Sequence, residues 1–264
     1  MSESSALDAV SIAAANHAIG VEVHDCLDST QSCARGRLQA GARRPLAIFA
    51  EAQTAGRGQR GRVWYSPPGA ALYLTLIWPT ARRMAGLAGL SLIVGLILRR
   101  VLAQFGVDAQ LKWPNDVWVG ERKLAGVLIE LVGDPAGSTA LIGIGLNHDL
   151  PDTARAQIDQ PHIDLGCILD PLPSRNAIAA ALLESLQTQL QRFEAQGLGA
   201  FLDEWDAADA LRGRPIWLVE GQGRVRGMAL GIDAVGRLRV QVDGRERLLT
   251  AGEVSIRADQ DDPA

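Results

Sequence analysis

Residues 111–130 read LKWPNDVWVGERKLAGVLIE, and the order of residue types along them dictates a local shape. The apolar run that reaches Lys112 is a strand, and Pro114 stops it because proline has no backbone N–H to give to a ladder. Asn115 and Asp116 follow in a turn, where their side chains bond nearby backbone. A hairpin through Gly120 then returns as KLAGVLIE and brings Lys123 back alongside. One turn therefore gathers a cation, an amide and a carboxylate. A lysine heading an otherwise apolar strand has its ammonium drawn toward a pocket, and Gly126 leaves room for a ligand against the backbone. A surface hairpin with ordinary charges is the plain alternative.

Upstream, EAQTAGRGQRGRVWYSPPG (51–69) combines glycines, which let the backbone turn its amides inward, with arginines, planar and permanently charged donors for phosphate or carboxylate oxygens. This is an anion cradle. It is not a P-loop, since GxxxxGK[ST] is absent, and GRGQRG fits GxGxxG by letters only, without the strand, turn and helix that motif needs. A solvated basic loop or an RGG-like RNA contact is the alternative. Downstream, TALIGIGLNH (139–148) is a buried strand whose Gly143 and Gly145 both lack side chains on one face, which carves a slot. A tightly packing strand would explain either glycine alone.

The chain around these stretches has 264 residues, 47% hydrophobic and 21% charged, enough for a substantial core in one large domain or a large and a small one. Lys+Arg 26 against Asp+Glu 30 leaves a net charge of −4, so no general basic surface holds nucleic acid through its phosphates. Cys26, Cys33 and Cys167 are odd in number and lack CxxC spacing, which argues against a disulfide framework and a zinc site and for reduced thiols in a cytosol. The acidic start, MSESSALDAV, is not a secretory signal. The longest apolar run, MAGLAGLSLIVGLIL (84–98), has 15 residues, short of the roughly 18 of a membrane span, and reads as a buried core helix.

Apolar patterning predicts strands over about 46–52, 71–78, 109–113, 117–119, 124–132 and 139–146. Helices are predicted from a cap at Asp28-Ser29-Thr30 to near Gly41, over about 83–105, and over 174–194, where Ile178, Ala181, Leu182, Leu186, Leu190 and Phe193 share a face. From Leu211 onward the short strands PIWLVEG, GRVRGMALGID, GRLRVQV and RERLL follow one another without a helix, a second, small all-β module. The ends, roughly 1–16 and 259–264, read as disordered. Trp78, Trp205 and Trp217 read as core, and Trp64 and Trp113 as pocket walls. His148 reads as a loop residue without a catalytic role.

Together these stretches resemble the catalytic domain of the biotin protein ligase family. EAQTAGRGQRGRVW is similar to its Gly/Arg biotin-and-phosphate loop, and KWPNDVWVGERKLAGVLIE to its signature, including the spacing from Asp to catalytic Lys. IGIGLN is similar to its G-x-G-x-N strand, and DST at 28–30 to its early Ser-Thr element. The resemblance runs from about Val21 to the C-terminus. It leaves some twenty residues ahead, too few for the winged helix-turn-helix of the repressor members, and so implies a monofunctional ligase. The implied fold is α/β (α+β): an N-terminal segment over 1–20, partly disordered, a mixed-sheet catalytic biotin/ATP-binding domain over 21–210, and an SH3-like β-barrel over 211–264.

The resemblance implies a two-step reaction, in which biotin and ATP give biotinyl-5′-AMP and pyrophosphate, and the biotinyl group then passes to a lysine of a biotin carboxyl carrier protein. It implies Mg²⁺ with the ATP, no protein metal-ligand set, a cytoplasmic location, a monomer or weak homodimer, and no nucleic-acid or membrane partner. Lys123, Arg57 and Asp116 are implied as catalytic. Ser29, Thr30, Gln53, Gly56, Arg57, Gly58, Lys123, Gly126, Gly143 and Gly145 are implied around biotin. Arg57, Gln59, Arg60, Arg62, Trp64, Asn115, Lys123, Asn147 and Arg257 are implied at the nucleotide. Gln59 is a departure, since many relatives carry arginine there. The alternatives are a lipoate or octanoate ligase or transferase of the same superfamily and, from a different class, a nucleic-acid-binding adaptor using the basic loop or the barrel.

Overall fold

The computed structural model of the protein describes residues 6–14, 16–134, 137–220, 223–250 and 255–258. Its larger part is a seven-stranded sheet built from β1 (Gly20–Leu27), β2 (Leu46–Gln53), β3 (Ala71–Thr80), β4 (Gln110–Lys112), β5 (Asp116–Val119), β6 (Arg122–Asp134) and β7 (Gly137–Asn147). The strand order is β1-β2-β3-β7-β6-β5-β4. Only β1 and β2 run parallel, joined through α2 (Thr30–Gln39); the other neighbours are antiparallel. The central β3, ALYLTLIWPT, is buried along almost its whole length. Its unbroken apolar character follows from cover on both faces: α2 lies on one, α3 (Leu90–Gln104) and α5 (Arg175–Gln196) on the other.

The run from Met84 to Gln104 is apolar enough to cross a membrane by composition, and here its residues from Leu90 to Leu102 are largely buried in the core. It is not one helix. Gly89 takes φ +79°, which separates a 3-10 turn over Met84–Leu87 from α3. A side chain there would also meet Leu198 Cδ2 at 2.8 Å, so glycine is needed for both conformation and space.

The expectation of disorder over 1–16 does not hold for the described residues of that stretch. Asp8 caps α1 (Ala9–Ala13) by accepting from Val10 N and Ser11 N, and Ile12 is fully buried. Leu7 N donates to Glu51 Oε1 at 2.6 Å, and Glu51 pairs with the buried Arg175 at 2.7 Å. Strand β1 carries no sequence expectation either, because GVEVHDCL is a half-exposed edge strand with little apolar contrast.

The C-terminal strands β8 (Pro215–Glu220), β9 (Gly223–Ile232), β10 (Leu238–Val242), β11 (Arg245–Leu249) and β12 (Ser255–Ala258) form a five-stranded antiparallel sheet, ordered β11-β10-β9-β8-β12. Among the described residues, this module shares its core with the larger part. Ile216, Leu218, Leu238 and Val240 belong to the same buried cluster as Trp113, Trp205 and Leu211. Two expectations about tryptophan change accordingly. Trp113 is 2% exposed and its Nε1 donates to Gly236 O at 3.0 Å, so it joins the two sheets and does not wall a pocket. Trp217 is half-buried, paired across strands with Arg226 and Arg257, while Trp78 and Trp205 are core as expected.

Asp209, at the junction between these parts, has its carboxyl pushed up to about 6 by burial, with the Asp206 charge adding to the rise. A folded-state value above the ordinary 3.8 means that the folded chain holds this proton more tightly. Stability from this group is therefore present at low pH and lost as pH rises from 3.8 through about 6, by on the order of 2 to 3 kcal/mol. Asp209→Asn keeps the acceptor for Leu211 N, now at 2.9 Å, without the charge. It is expected to raise the melting temperature at about pH 8 and leave it unchanged at about pH 3.5. An equal change at both pH values would remove this assignment.

Candidate active site

On the face covered by α2, a row of directly paired residues crosses the sheet: Ala50, Tyr73, Gly145, Gly126, Asp116 and Lys112. The next row holds Ile48, Thr75, Gly143 and Leu128. Paired residues share a face, so Gly145 beside Gly126 leaves a trough one side chain deep, and the indole of Trp64 lies in it. A Cβ on Gly145 would stand 2.5 Å from Trp64 Cε2, and one on Gly126 2.9 Å from Cζ3.

Lys123 lies three residues before Gly126, and strict alternation would send the two to opposite faces. A β-bulge corrects this. The register between β5 and β6 shifts at Val117/Trp118, so Lys123 pairs with Trp118 while Asp116 pairs with Gly126. An extra residue in one strand returns Lys123 to the face of Asp116. Its Nζ stands 2.7 Å from Asp116 Oδ1 and 5.3 Å from the Trp64 ring centroid, with the two side chains 13% and 17% exposed. Asn115 holds the turn in place: its Nδ2 donates to Val127 O at 2.9 Å and its carbonyl accepts from Val127 N at 2.9 Å.

The other end of the trough is polar. Gln53 Oε1 accepts from Thr30 N at 2.8 Å and from the Thr30 hydroxyl at 3.2 Å, while its Nε2 donates to Ser66 Oγ at 2.9 Å. The Thr75 hydroxyl, fully buried, lies 2.9 Å from Thr30 Oγ1 and 3.1 Å from Gln31 Oε1. Ser29 caps α2 by accepting from Gln31 N at 3.1 Å. Between the two ends, with the Trp64 indole in place, the open space of the cleft is about 50 Å³.

The cleft brings together Ser29, Thr30, Gln53, Arg57, Gly58, Gln59, Trp64, Asn115, Lys123, Gly126, Gly143 and Gly145, with Asp116 reaching it through Lys123. Four expected residues stand elsewhere. The loop folds as a hairpin, Gly58 N donating to Arg62 O at 2.7 Å and Trp64 N to Gly56 O at 2.9 Å. Gly56 lies under that crossing, where a Cβ would meet Trp64 O at 2.3 Å, so it shapes the loop without lining the cleft. Arg60, at φ 59°, and Arg62 are exposed outside the lining, whereas Gln59 faces in. Asn147 is 5% exposed and its Nδ2 donates to Ile163 O at 3.0 Å and Lys123 O at 3.4 Å, which anchors the Lys123 strand. The backbone of Arg257 pairs with Trp217 on β12; its side chain lies outside the described residues.

Sequence reasoning missed Gln31, Thr75 and Tyr73, all in the lining. Thr75 had a signal, a lone hydroxyl in the apolar run ALYLTLIW. Tyr73 donates its hydroxyl to Pro67 O at 2.9 Å, and burial raises its pKa well above the ordinary range. His148 is 4% exposed with Nε2 2.7 Å from Pro173 O, and burial lowers its pKa, which suits a neutral ring pinning a loop.

Residues 23–147 match the model of the Biotin/lipoate A/B protein ligase family, and residues 213–257 that of the Biotin protein ligase C terminal domain. The biotin–[acetyl-CoA-carboxylase] ligase of Mycobacterium tuberculosis is 31% identical over 219 residues, which cover 79% of this chain and 78% of that protein. This chain belongs to the biotin protein ligase family. The bifunctional ligase/repressor BirA of Escherichia coli is 39% identical over 217 residues, 80% of this chain; the match spans 66% of that relative's length. Among solved structures, the biotin protein ligase of Aquifex aeolicus in complex with biotin and ATP superposes with a TM-score of 0.76 at 26% identity, covering 90% of this chain and 99% of that one. The seven-stranded sheet thus carries the region that matches the family's ligase model, and the five-stranded module the region that matches its C-terminal domain.

Proposed function

We propose that this protein joins biotin to ATP, forming biotinyl-5′-AMP and pyrophosphate, and passes the biotinyl group to the ε-amine of a lysine on a biotin carboxyl carrier protein. The observation that carries this reading is the polarity of the trough: a hydroxyl and amide network at one end, glycine and indole in the middle, and Lys123 held 2.7 Å from Asp116 at the other. Biotin has the same order, a urea, an apolar bicycle and a carboxylate. Ser29, its oxygen accepting from Gln31 N, keeps its proton for the urea carbonyl, and Thr30 and Gln53 hold that end in shape. A ligand in the trough stacks against the Trp64 indole or displaces it from Gly126 and Gly145.

In the first step a carboxylate oxygen of biotin attacks the α-phosphorus, and the bond to the pyrophosphate oxygen breaks. Two anions must meet, so Arg57 and Lys123 lower the barrier by supplying positive charge in a site with little water. Mg²⁺ enters as part of the MgATP substrate, held by phosphate oxygens; Asp116, the nearby carboxylate, is already paired with Lys123. In the second step the carrier amine attacks the acyl carbon, AMP leaves, and Asp116 is placed to take the proton that the amine releases.

The test is pyrophosphate exchange into ATP with biotin or lipoate as the acid, and identification of the adenylate. Exchange dependent on biotin is expected. Exchange with lipoate alone would move the chain to the lipoate branch of the superfamily.

Gln59 lines the cleft, at the position where the family resemblance implies arginine, while Arg60 and Arg62 are exposed outside the lining. Glutamine donates hydrogen bonds but cannot offset phosphate charge. Gln59→Arg is therefore expected to slow adenylate release by about tenfold, corresponding to about 1–2 kcal/mol for one charge-assisted bond, and to reduce stray biotinylation of bystander lysines. An unchanged off-rate would mean that Arg60 or Arg62 turns inward on binding.

A further inference from the structure

Strand β1 forms the edge of the sheet opposite β4. On it Glu22 pairs with Ile48 and His24 with Ala50, which places both on the face that α2 covers. Cys33, on α2, approaches them from above. One carboxylate oxygen, one ring nitrogen and the Cys33 sulfur all lie within 4.8 Å of one another. Glu22 Oε2 and His24 Nε2 are 3.2 Å apart. Two ligand atoms about 2.0–2.1 Å from a tetrahedral ion stand roughly 3.3 Å apart, so this pair is already at ligand spacing. Arg37 Nε holds the Glu22 carboxylate at 3.1 and 3.0 Å, the kind of outer contact that orients a ligating carboxylate.

We propose that Glu22, His24 and Cys33 bind one divalent ion of the zinc class, at a site separate from the cleft and with its fourth position open to water. Thiolate, imidazole and carboxylate together suit zinc and its neighbours, whereas magnesium takes oxygen ligands. Cys33 ligates as thiolate and releases its proton to solvent. The ion would tie the edge strand to α2, whose cap and first residues are Ser29, Thr30 and Gln31 at the polar end of the trough. A search for paired cysteines passes over this set, because its ligands are an E-x-H on a strand and a cysteine from the following helix.

The experiment titrates Co²⁺, then Zn²⁺, into the full chain carrying Cys26→Ser and Cys167→Ser, which removes the two exposed thiols. Expected are one equivalent of bound Co²⁺ with a thiolate-to-cobalt charge-transfer band and the intense visible bands of a tetrahedral ion. Cys33→Ser should abolish the charge-transfer band, and His24→Ala should weaken binding by at least about tenfold. Saturating Zn²⁺ should raise the melting temperature by about 5 °C in the Cys33 protein and not in Cys33→Ser. No thiolate band at millimolar Co²⁺, a band that survives Cys33→Ser, or an affinity unchanged by His24→Ala would each overturn the site.

Discussion

Lys123→Ala is expected to lower biotinyl-AMP formation by at least about 10²–10³-fold, the loss that follows removal of one preorganised charge-stabilising group, while the melting temperature changes little. The ammonium packs against Trp64 and Asp116 and the side chain is 13% exposed, so its removal takes away the cation at the end of the trough proposed for the biotin carboxylate without opening the apolar core. The variant also leaves Asp116 without its partner, and the carboxylate then adds repulsion where two anions must meet. Mass spectrometry of the adenylate, together with a thermal melt, separates the two effects. Near wild-type adenylate formation would remove Lys123 from the chemistry, and a collapsed melt would show that the Lys123–Asp116 pair serves the fold first.

A chain ending at residue 210 is expected to be inactive and to have lost most of its cooperative melt. The reason lies in the shared core: Trp113, 2% exposed, and Leu111, fully buried, belong to the same cluster as Leu211, Ile216 and Leu218. Apolar surface uncovered there costs about 25 cal/mol per Å², set against the roughly 5–15 kcal/mol that holds a domain together. The Trp113 Nε1 would lose Gly236 O as well. Trp113 lies in the same turn as Asn115, between β4 and β5, so loss of the β module is expected to reach the site. A truncated chain that melts cooperatively and forms adenylate at the full rate would refute this coupling.

Much of the catalytic sheet was legible because its signals are local. Pro114 and Gly120 punctuate the hairpin, and β5 and β6 follow as read. In α5, Ile178, Leu182, Leu186, Leu190 and Phe193 are buried as their spacing requires. The cleft was legible through its motifs, and it gathers the Ser-Thr element, the Gly/Arg loop and the lysine hairpin from distant parts of the chain. What escaped was either weakly patterned or not local. Strand β1 alternates poorly because it is a half-exposed edge, and α1 is short, held by a cap and by contacts to β2 and α5.

The amino-acid sequence by itself determined that a lysine, a carboxylate and an amide would meet at one turn, that two glycines would open a slot, and that a small β module would follow a mixed domain. Tertiary structure alone decided which face each group takes. Strict alternation from Gly126 would turn Lys123 away from the cleft; the bulge that turns it back depends on the register with Trp118, a partner chosen by strand pairing. Gly145 becomes a trough only because Gly126, on another strand, stands opposite it. Trp113 reads as a pocket wall until Gly236 accepts from its indole. The physical reason is common to all three: side-chain periodicity is set by neighbours along the chain, whereas register, cross-strand gaps and buried donors are set by residues that folding brings together.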